Sequence, residues 1–391
     1  MMTIIQRVQA TLANGLYALA NALLNFARWC LWPRPRPAKA RRVCIYRIGN
    51  LGDILCALPA LHAVRLAYPE AKLTLLTSPG APGMPGAHEL LSGAPWLDHV
   101  WVYSSEEIAT LRQQLRLVKR LRDSEFDVWI EFPSSLAPIR VLLRNMLVAR
   151  FSGVRWGFGW RVSTIRWAAR AQSARRVFPN EVERLLQIAA QCGITAREIS
   201  FPLPLTERRA ATVEALLHGW VPPGTPLAAL APGAKRPTNR WPLERYAEVG
   251  ASLCARGFFV LLLGGAGDQA SCEWIASRLP AATLNLAGRV SVLESCEALR
   301  RCAFVVCNDS GVQHMAAAVS TPCVSIFSGQ DMPGKWHPYG AQHVVLRREV
   351  PCHPCYLDEC PRDNLCLKLV QVSDVLRTTQ LLRATSAATS L

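Results

Sequence analysis

Apolar and polar positions along the chain form two blocks that repeat one grammar. In the first, a short apolar run at 43–48 leads into a glycine-bounded turn, and a helix-period segment follows over 53–67. A second strand is predicted at 72–77, after the break at Pro69. This order predicts a βαβ unit, whose ligands gather at the carboxyl ends of its strands. Further strands are predicted at 99–103 and 127–132, with a basic helix between them carrying Arg112, Arg116, Lys119, Arg120 and Arg122.

A helical stretch beginning near 205 and the turn-forming VPPGTP up to 226 mark a hinge, after which the grammar restarts. LAALAPG reads as strand and turn, and RYAEVGASLCARG as a helix ending at Gly257. FFVLLLGG is a continuous apolar strand of the kind that parallel sheets bury on both faces. Strands at 304–307 and 323–327 flank a helix of small residues. The prediction is an α/β chain with two doubly wound domains, at 41–220 and 221–391, preceded by a distinct segment over 1–40.

That leading segment has no charge from Val8 to Ala27. On a helical projection Thr11, Asn14, Asn21, Asn25 and Arg28 share one face, and Val8, Leu12, Leu16, Leu19, Leu23 and Phe26 the opposite one. A helix so divided suits a membrane interface better than a span, and docking onto the second domain is the competing use. Trp29, Trp32, Arg34, Arg36, Lys39, Arg41 and Arg42 follow, an aromatic and basic cluster suited to anionic headgroups. Pro33, Pro35 and Pro37 make a stiff linker. A lone Arg7 and a polar interruption disfavour a cleaved signal peptide.

Composition narrows the partners. With 44 Lys and Arg against 28 Asp and Glu, the chain has a formal charge of +16, which points to anionic ligands or surfaces. A nucleic-acid-binding module would use this charge but leave two doubly wound halves without a purpose. Of 14 cysteines, most lie in apolar runs, as Cys254, Cys302 and Cys307 do, where thiols are ordinary core residues of a reducing compartment.

Candidate chemistry sits in three places. Asp53, beside Gly49 and Gly52, is either a helix-start carboxylate or a general base that removes a proton from an acceptor hydroxyl. Asp309, Ser310 and Gly311 end a strand and open a helix that also carries His314; they either cap that helix or bind a pyrophosphate on its exposed N–H groups. Cys352, Cys355, Cys360 and Cys366 fall within fifteen residues, as ligands of a structural zinc or iron or as plain loop thiols, with His353 exposed beside them. The GGAGD run at 264–268 lines a base or ribose pocket or turns the chain. It lacks the full G-x-G-x-x-G of a nicotinamide oxidoreductase.

Taken together, IGNLGDILCALPAL, LAPGAKRPTNRWPLERYAEV and NDSGVQHMAAA resemble glycosyltransferase family nine, the ADP-heptose:lipopolysaccharide heptosyltransferases, over about residues 42–375. The resemblance implies a GT-B fold of two Rossmann-like domains facing a central cleft. It implies inverting, metal-independent transfer of a heptose from ADP-heptose to the lipopolysaccharide core, or use of another nucleotide sugar, with no cofactor required for catalysis. Asp53 matches the family's proposed base, and Asp309, Ser310, Gly311 and His314 its donor-diphosphate segment. The family's usual lysine two residues before Trp241-Pro242 is Asn239 here, which leaves Arg240 first and then Lys235 or Arg236 to meet the phosphates. A weakly catalytic, membrane-associated nucleotide-binding scaffold is the alternative that would explain this departure. The implied setting is the cytoplasmic face of the inner membrane, with a lipid A–core acceptor, an anionic membrane surface and no nucleic acid as partners.

Overall fold

The computed structural model describes residues 4–80, 82–163 and 177–389, and the chain divides into two compact units, Met1–Pro202 and Leu203–Leu391. The first holds a parallel sheet of five strands, β1 (Arg42–Tyr46), β2 (Lys72–Thr77), β3 (His99–Val102), β4 (Val128–Glu131) and β5 (Trp156–Phe158), in the spatial order β3-β2-β1-β4-β5. Tyr46 pairs with Leu76 on one side and Glu131 on the other, so these three side chains point to the same sheet face.

That face is covered by three helices, α1 (Ile4–Leu31), α4 (Leu111–Asp123) and α5 (Ile139–Phe151), which share one core with Cys44, Tyr46, Leu76 and Trp129. The opposite face is covered by α2 (Leu51–Ala67), which packs beside the helix Glu181–Ala190. A short α3 (Ala87–Leu91) lies between β2 and β3. Buried Ile54, Leu55, Leu58 and Leu61 give α2 its spacing of three and four residues. Asp53 Oδ2 accepts from the Asn50 backbone N–H at 2.9 Å and so helps to start this helix two residues before the apolar period predicts.

The second unit has a six-stranded parallel sheet, β6 (Leu227–Ala231), β7 (Phe259–Leu262), β8 (Thr283–Asn285), β9 (Cys302–Asn308), β10 (Cys323–Phe327) and β11 (Val344–Arg347), ordered β11-β10-β9-β6-β7-β8. Numbered by chain entry this is 3-2-1-4-5-6, the doubly wound arrangement that binds ligands where the winding reverses. Ala228, Leu230, Val260, Leu262, Phe304, Val306, Val324 and Ile326 alternate with their neighbours along the strands and meet Tyr246, Val249 and Leu253 of the helix Leu243–Ala255 in one core.

Three expectations are corrected. The division between units falls at Pro202, ahead of the helix Glu207–Leu217, because that helix packs on Val292–Arg300 and its Ala210 carbonyl accepts from Arg301 at 2.8 Å. The α1 helix docks on the first unit. Asn21 donates to the Val162 carbonyl and accepts from its N–H, Leu24 is buried, and Trp32 donates to the Val154 carbonyl at 2.8 Å and stacks on Trp160. The side chain of Val8 lies outside the described residues. His353 is buried rather than exposed, with its imidazole against Arg347.

Candidate active site

In the first unit the winding reverses between β1 and β4, and the loops leaving these two strands carry the site. Arg47, directly after β1, has no exposed surface and donates to the carbonyls of Phe132 and Pro133, directly after β4. Its other nitrogen lies 3.4 Å from Asp53 Oδ1 and 3.1 Å from Glu181 Oε1, and Arg184 clasps Glu181 from the far side at 2.7 and 2.8 Å. Two guanidiniums thus enclose a fully buried Glu181, while Asp53 is the partly open end of the network. Removing charges from water costs several kcal/mol each, and such a chain is tolerable only because nearly every polar atom in it is paired.

Gly49 keeps this corner compact: a Cβ there would stand 2.3 Å from Asp53 Cβ. Gly52 is the second residue of α2, one step before Asp53. The structure therefore brings Gly49, Gly52 and Asp53 together. It adds Arg47, Glu181 and Arg184, which sequence reasoning missed, the last two because they lie far along the chain.

In the second unit the reversal lies between β6 and β9, so the loop 232–240 and the β9 end meet there. Asn239 is buried and donates to both Asp309 Oδ2 and the Asp309 carbonyl, at 3.3 and 3.4 Å, while its own oxygen accepts from Ser328 Oγ at 2.6 Å. Gln313 Nε2 donates to the other Asp309 oxygen at 2.9 Å. Asp309 is thus held by two neutral amides. Burial, and then the nearby Asp331 carboxylate, push it up to about 7 against the opposing pull of Arg347.

Beside it the helix Gly311–Ala318 begins, with Ser310 at its cap position in an extended conformation. The Ser310 hydroxyl oxygen is enclosed and has no hydrogen-bond partner. His314 is buried, with its ring edge-on to Trp336 at 6.3 Å. Arg240 is exposed and donates to the Ala234 carbonyl at 2.9 Å; Lys235 is exposed; and Arg236 pairs with Asp358 at 2.7 Å. The loop after β10 supplies a cation that the sequence did not flag: Lys335, only 2% exposed, 3.4 Å from Asp331 and over the Trp336 ring at 4.6 Å. Gly233 and the GGAGD turn close on one another, since a Cβ at Gly233 would stand 2.3 Å from the Asp268 carboxyl.

The cysteine-rich segment packs on the loop after β10. Cys355 donates its N–H to the Gly329 carbonyl at 2.9 Å, and Gly329 donates to Cys366 Sγ at 3.3 Å. Burial pushes the Cys366 thiol up, and the thiols of Cys360 and Cys355 add to the effect. Cys352, Cys355, Cys360 and Cys366 are all free thiols, and among the described residues no three His, Cys, Asp or Glu side chains are grouped as a metal requires. This donor set does not fit a structural zinc or iron. His353, pushed down to about 4 by burial and then by Arg347, is a neutral packing residue at neutral pH.

The family model for "Glycosyltransferase family 9 (heptosyltransferase)" matches residues 114–366. A lipopolysaccharide heptosyltransferase 1 from Pseudomonas aeruginosa is 27% identical over 344 residues, covering 82% of this chain and 87% of that one. The solved E. coli ADP-heptose LPS heptosyltransferase II superposes with a TM-score of 0.65 at 22% identity, over 89% of this chain and 99% of that one. A solved family 9 glycosyltransferase from Veillonella parvula gives 0.71 at 17% identity, over 90% and 100%. The two sheets are those of the GT-B class of these neighbours.

Proposed function

We propose, since the chain belongs to glycosyltransferase family 9 and is a glycosyltransferase, that it moves a heptose from ADP-heptose onto the lipopolysaccharide inner core, with inversion and without a catalytic metal. The names of the Pseudomonas and E. coli relatives supply this donor and acceptor. The observation that carries the donor site is the start of the Gly311–Ala318 helix at the point of reversed winding, where the Ser310 hydroxyl is enclosed and unpaired. An enclosed hydroxyl without a partner is costly, and a phosphate oxygen at the helix start would satisfy it.

In the proposed reaction the acceptor hydroxyl attacks the anomeric carbon from the face opposite ADP, through a transition state with cationic sugar character. Asp53 takes the hydroxyl proton as the new carbon–oxygen bond forms. The bond to the nucleotide breaks with its electron pair passing to the β-phosphate oxygen. Backbone N–H groups at Gly311, the Ser310 hydroxyl and the loop cations Arg240 and Lys235 stabilise that developing charge. Asp309, whose oxygens are both engaged by amides, orients the helix start, and His314 supports it from within. Nucleotide sugar and lipid-anchored acceptor meet at the cytoplasmic face of the inner membrane.

The test is ADP release on mixing the full chain with ADP-heptose and deeply truncated lipopolysaccharide. Acceptor-dependent release is expected, with Asp53→Ala lowering it by roughly 10²- to 10⁴-fold while ADP binding persists. Bound ADP with no release in the unaltered chain would sink the heptose reading in favour of another donor or a scaffold. The anomeric configuration of the product decides inversion, and activity surviving a chelator decides metal independence.

A further inference from the structure

The α1 helix leaves a stripe of large apolar side chains uncovered. A surface helix ordinarily buries its apolar stripe and leaves its amides in water. Here Asn14 and Asn25 are in water, but Asn21 is 7% exposed and bonded to Val162 on both sides of its amide, and Leu12, Leu16, Leu19, Leu23 and Phe26 are each 50–63% exposed. Leu24 and Trp32 hold the helix in that orientation by joining the core of the first unit.

The neighbouring helices extend the same surface. α1, α5 and α4 cover one sheet face through one shared core, with α5 in contact with both of the others, so side chains directed away from the sheet lie in one outer layer. On α5 these include Leu143, Leu147 and Phe151, and on α4 Leu111 and Leu115, all exposed. Between α4 and α5 runs an apolar groove of about 490 Å³, lined by Leu115, Leu147 and Phe151 among others. A large apolar surface left uncovered and rimmed by polar residues marks an interaction face.

We infer that this outer layer is a monotopic docking face that seats the first unit on a bilayer containing anionic phospholipid, with the α1 stripe lying in the plane of the interface. Charge complementarity selects this occupant. From Thr11 onward, the three helices carry one basic residue in α1, five in α4 and three in α5, against a single acid, Asp123. Arg116, Lys119, Arg140 and Arg150 are exposed around the apolar positions, as headgroup-binding side chains are at a membrane surface. A second copy of the same face would bring two cationic surfaces together, which disfavours self-association. No helix among the described residues is long and apolar enough to cross a membrane, and α1 lies flat against its own unit instead. The inference deepens the membrane placement proposed above by naming the surface that makes contact, and it is independent of which sugar is moved.

Vesicle flotation of the full chain tests it without reading turnover. Binding is expected to vesicles of phosphatidylethanolamine with phosphatidylglycerol, and to be weaker on phosphatidylcholine alone. Leu16→Glu with Leu23→Glu should lower the partition coefficient at least ~10-fold, since each change replaces an inserted apolar side chain by a charge. Leu147→Glu, on a different helix, should lower it as well. These positions are exposed, so unchanged thermal unfolding and ADP binding are expected of each variant. Equal flotation of variants and unaltered chain would overturn the inference, as would absence of binding to the anionic vesicles. A dimer dissolved by the same substitutions, with no vesicle binding, would overturn it in favour of a protein partner.

Discussion

Arg47 and Asp53 meet at 3.4 Å at the carboxyl end of β1, the guanidinium wholly enclosed and the carboxylate partly open to solvent. One cation thereby ties the proposed base to the buried Glu181, 134 residues from Arg47 along the chain.

If that tie is structural, Glu181→Ala leaves the guanidiniums of Arg47 and Arg184 facing one another without their shared carboxylate. Breaking one partner out of a buried charge network costs about 3–5 kcal/mol. Urea unfolding of the full chain is expected to show a loss of that order. A change below about 0.5 kcal/mol would mean that the network contributes nothing to the fold.

Asp309 is expected to give the proposed donor site a pH dependence. With its carboxyl pushed up to about 7, it is mostly neutral below that pH and anionic above it, where it would repel a diphosphate at the helix start. ADP affinity is therefore expected to fall as pH rises through 7. In Asp309→Asn the fall should shrink to what ADP's own titration imposes. Asn239→Lys would pair a cation with Asp309, pull its titration back toward the ordinary carboxylate range and tighten ADP binding roughly 3- to 10-fold above pH 7. Calorimetry at several pH values checks both variants, and identical profiles would reject the assignment.

Glu131 ends β4 beneath α5, fully buried, with Asn145 donating to one oxygen at 2.9 Å and the indoles of Trp160 and Trp129 beside the carboxyl. Burial raises its carboxyl from 4.5 to about 8. Between those values the folded chain holds a proton that the unfolded chain has released, so this group makes stability fall as pH rises, by at most about 1.4 kcal/mol per pH unit. Below 4.5 the effect is absent, and above 8 it is complete. The Glu131→Gln chain should lose this slope, and parallel stability curves for the two chains would show the group to be paired.

Asn21→Ala removes the bonds that hold α1 to the Val162 backbone. Leaving that buried N–H and C=O unmet costs roughly 1–3 kcal/mol each. Hydrogen exchange is expected to quicken in residues 11–31, while β1 to β4 keep their protection. Uniform exchange across the first unit would mean that α1 opens only with the whole unit.

The segments at 72–77 and 323–327, rich in Leu, Val and Ile and set between turn residues, read as strands and fold as strands within those bounds. Asp53 and Asp309 were legible because glycine turns and strand ends are local signals. Glu181 and Arg347 were not, since only folding brings them beside Arg47 and Asp331, and Lys335, four residues from Asp331, carries no motif of its own. The period of α1 revealed two faces without revealing which one the protein covers, because Val162 lies 141 residues away from Asn21. Four close cysteines were equally ambiguous. Their spacing permits a metal, but the segment uses its backbone on Gly329, and among the described residues its side chains form no group that could hold one.

Each point of reversed winding is assembled from its own side of Pro202: Arg47, Asp53 and Glu181 before it, Asn239, Asp309 and Lys335 after it. A crossover near Leu203 would therefore exchange one cluster without disturbing the internal bonding of the other.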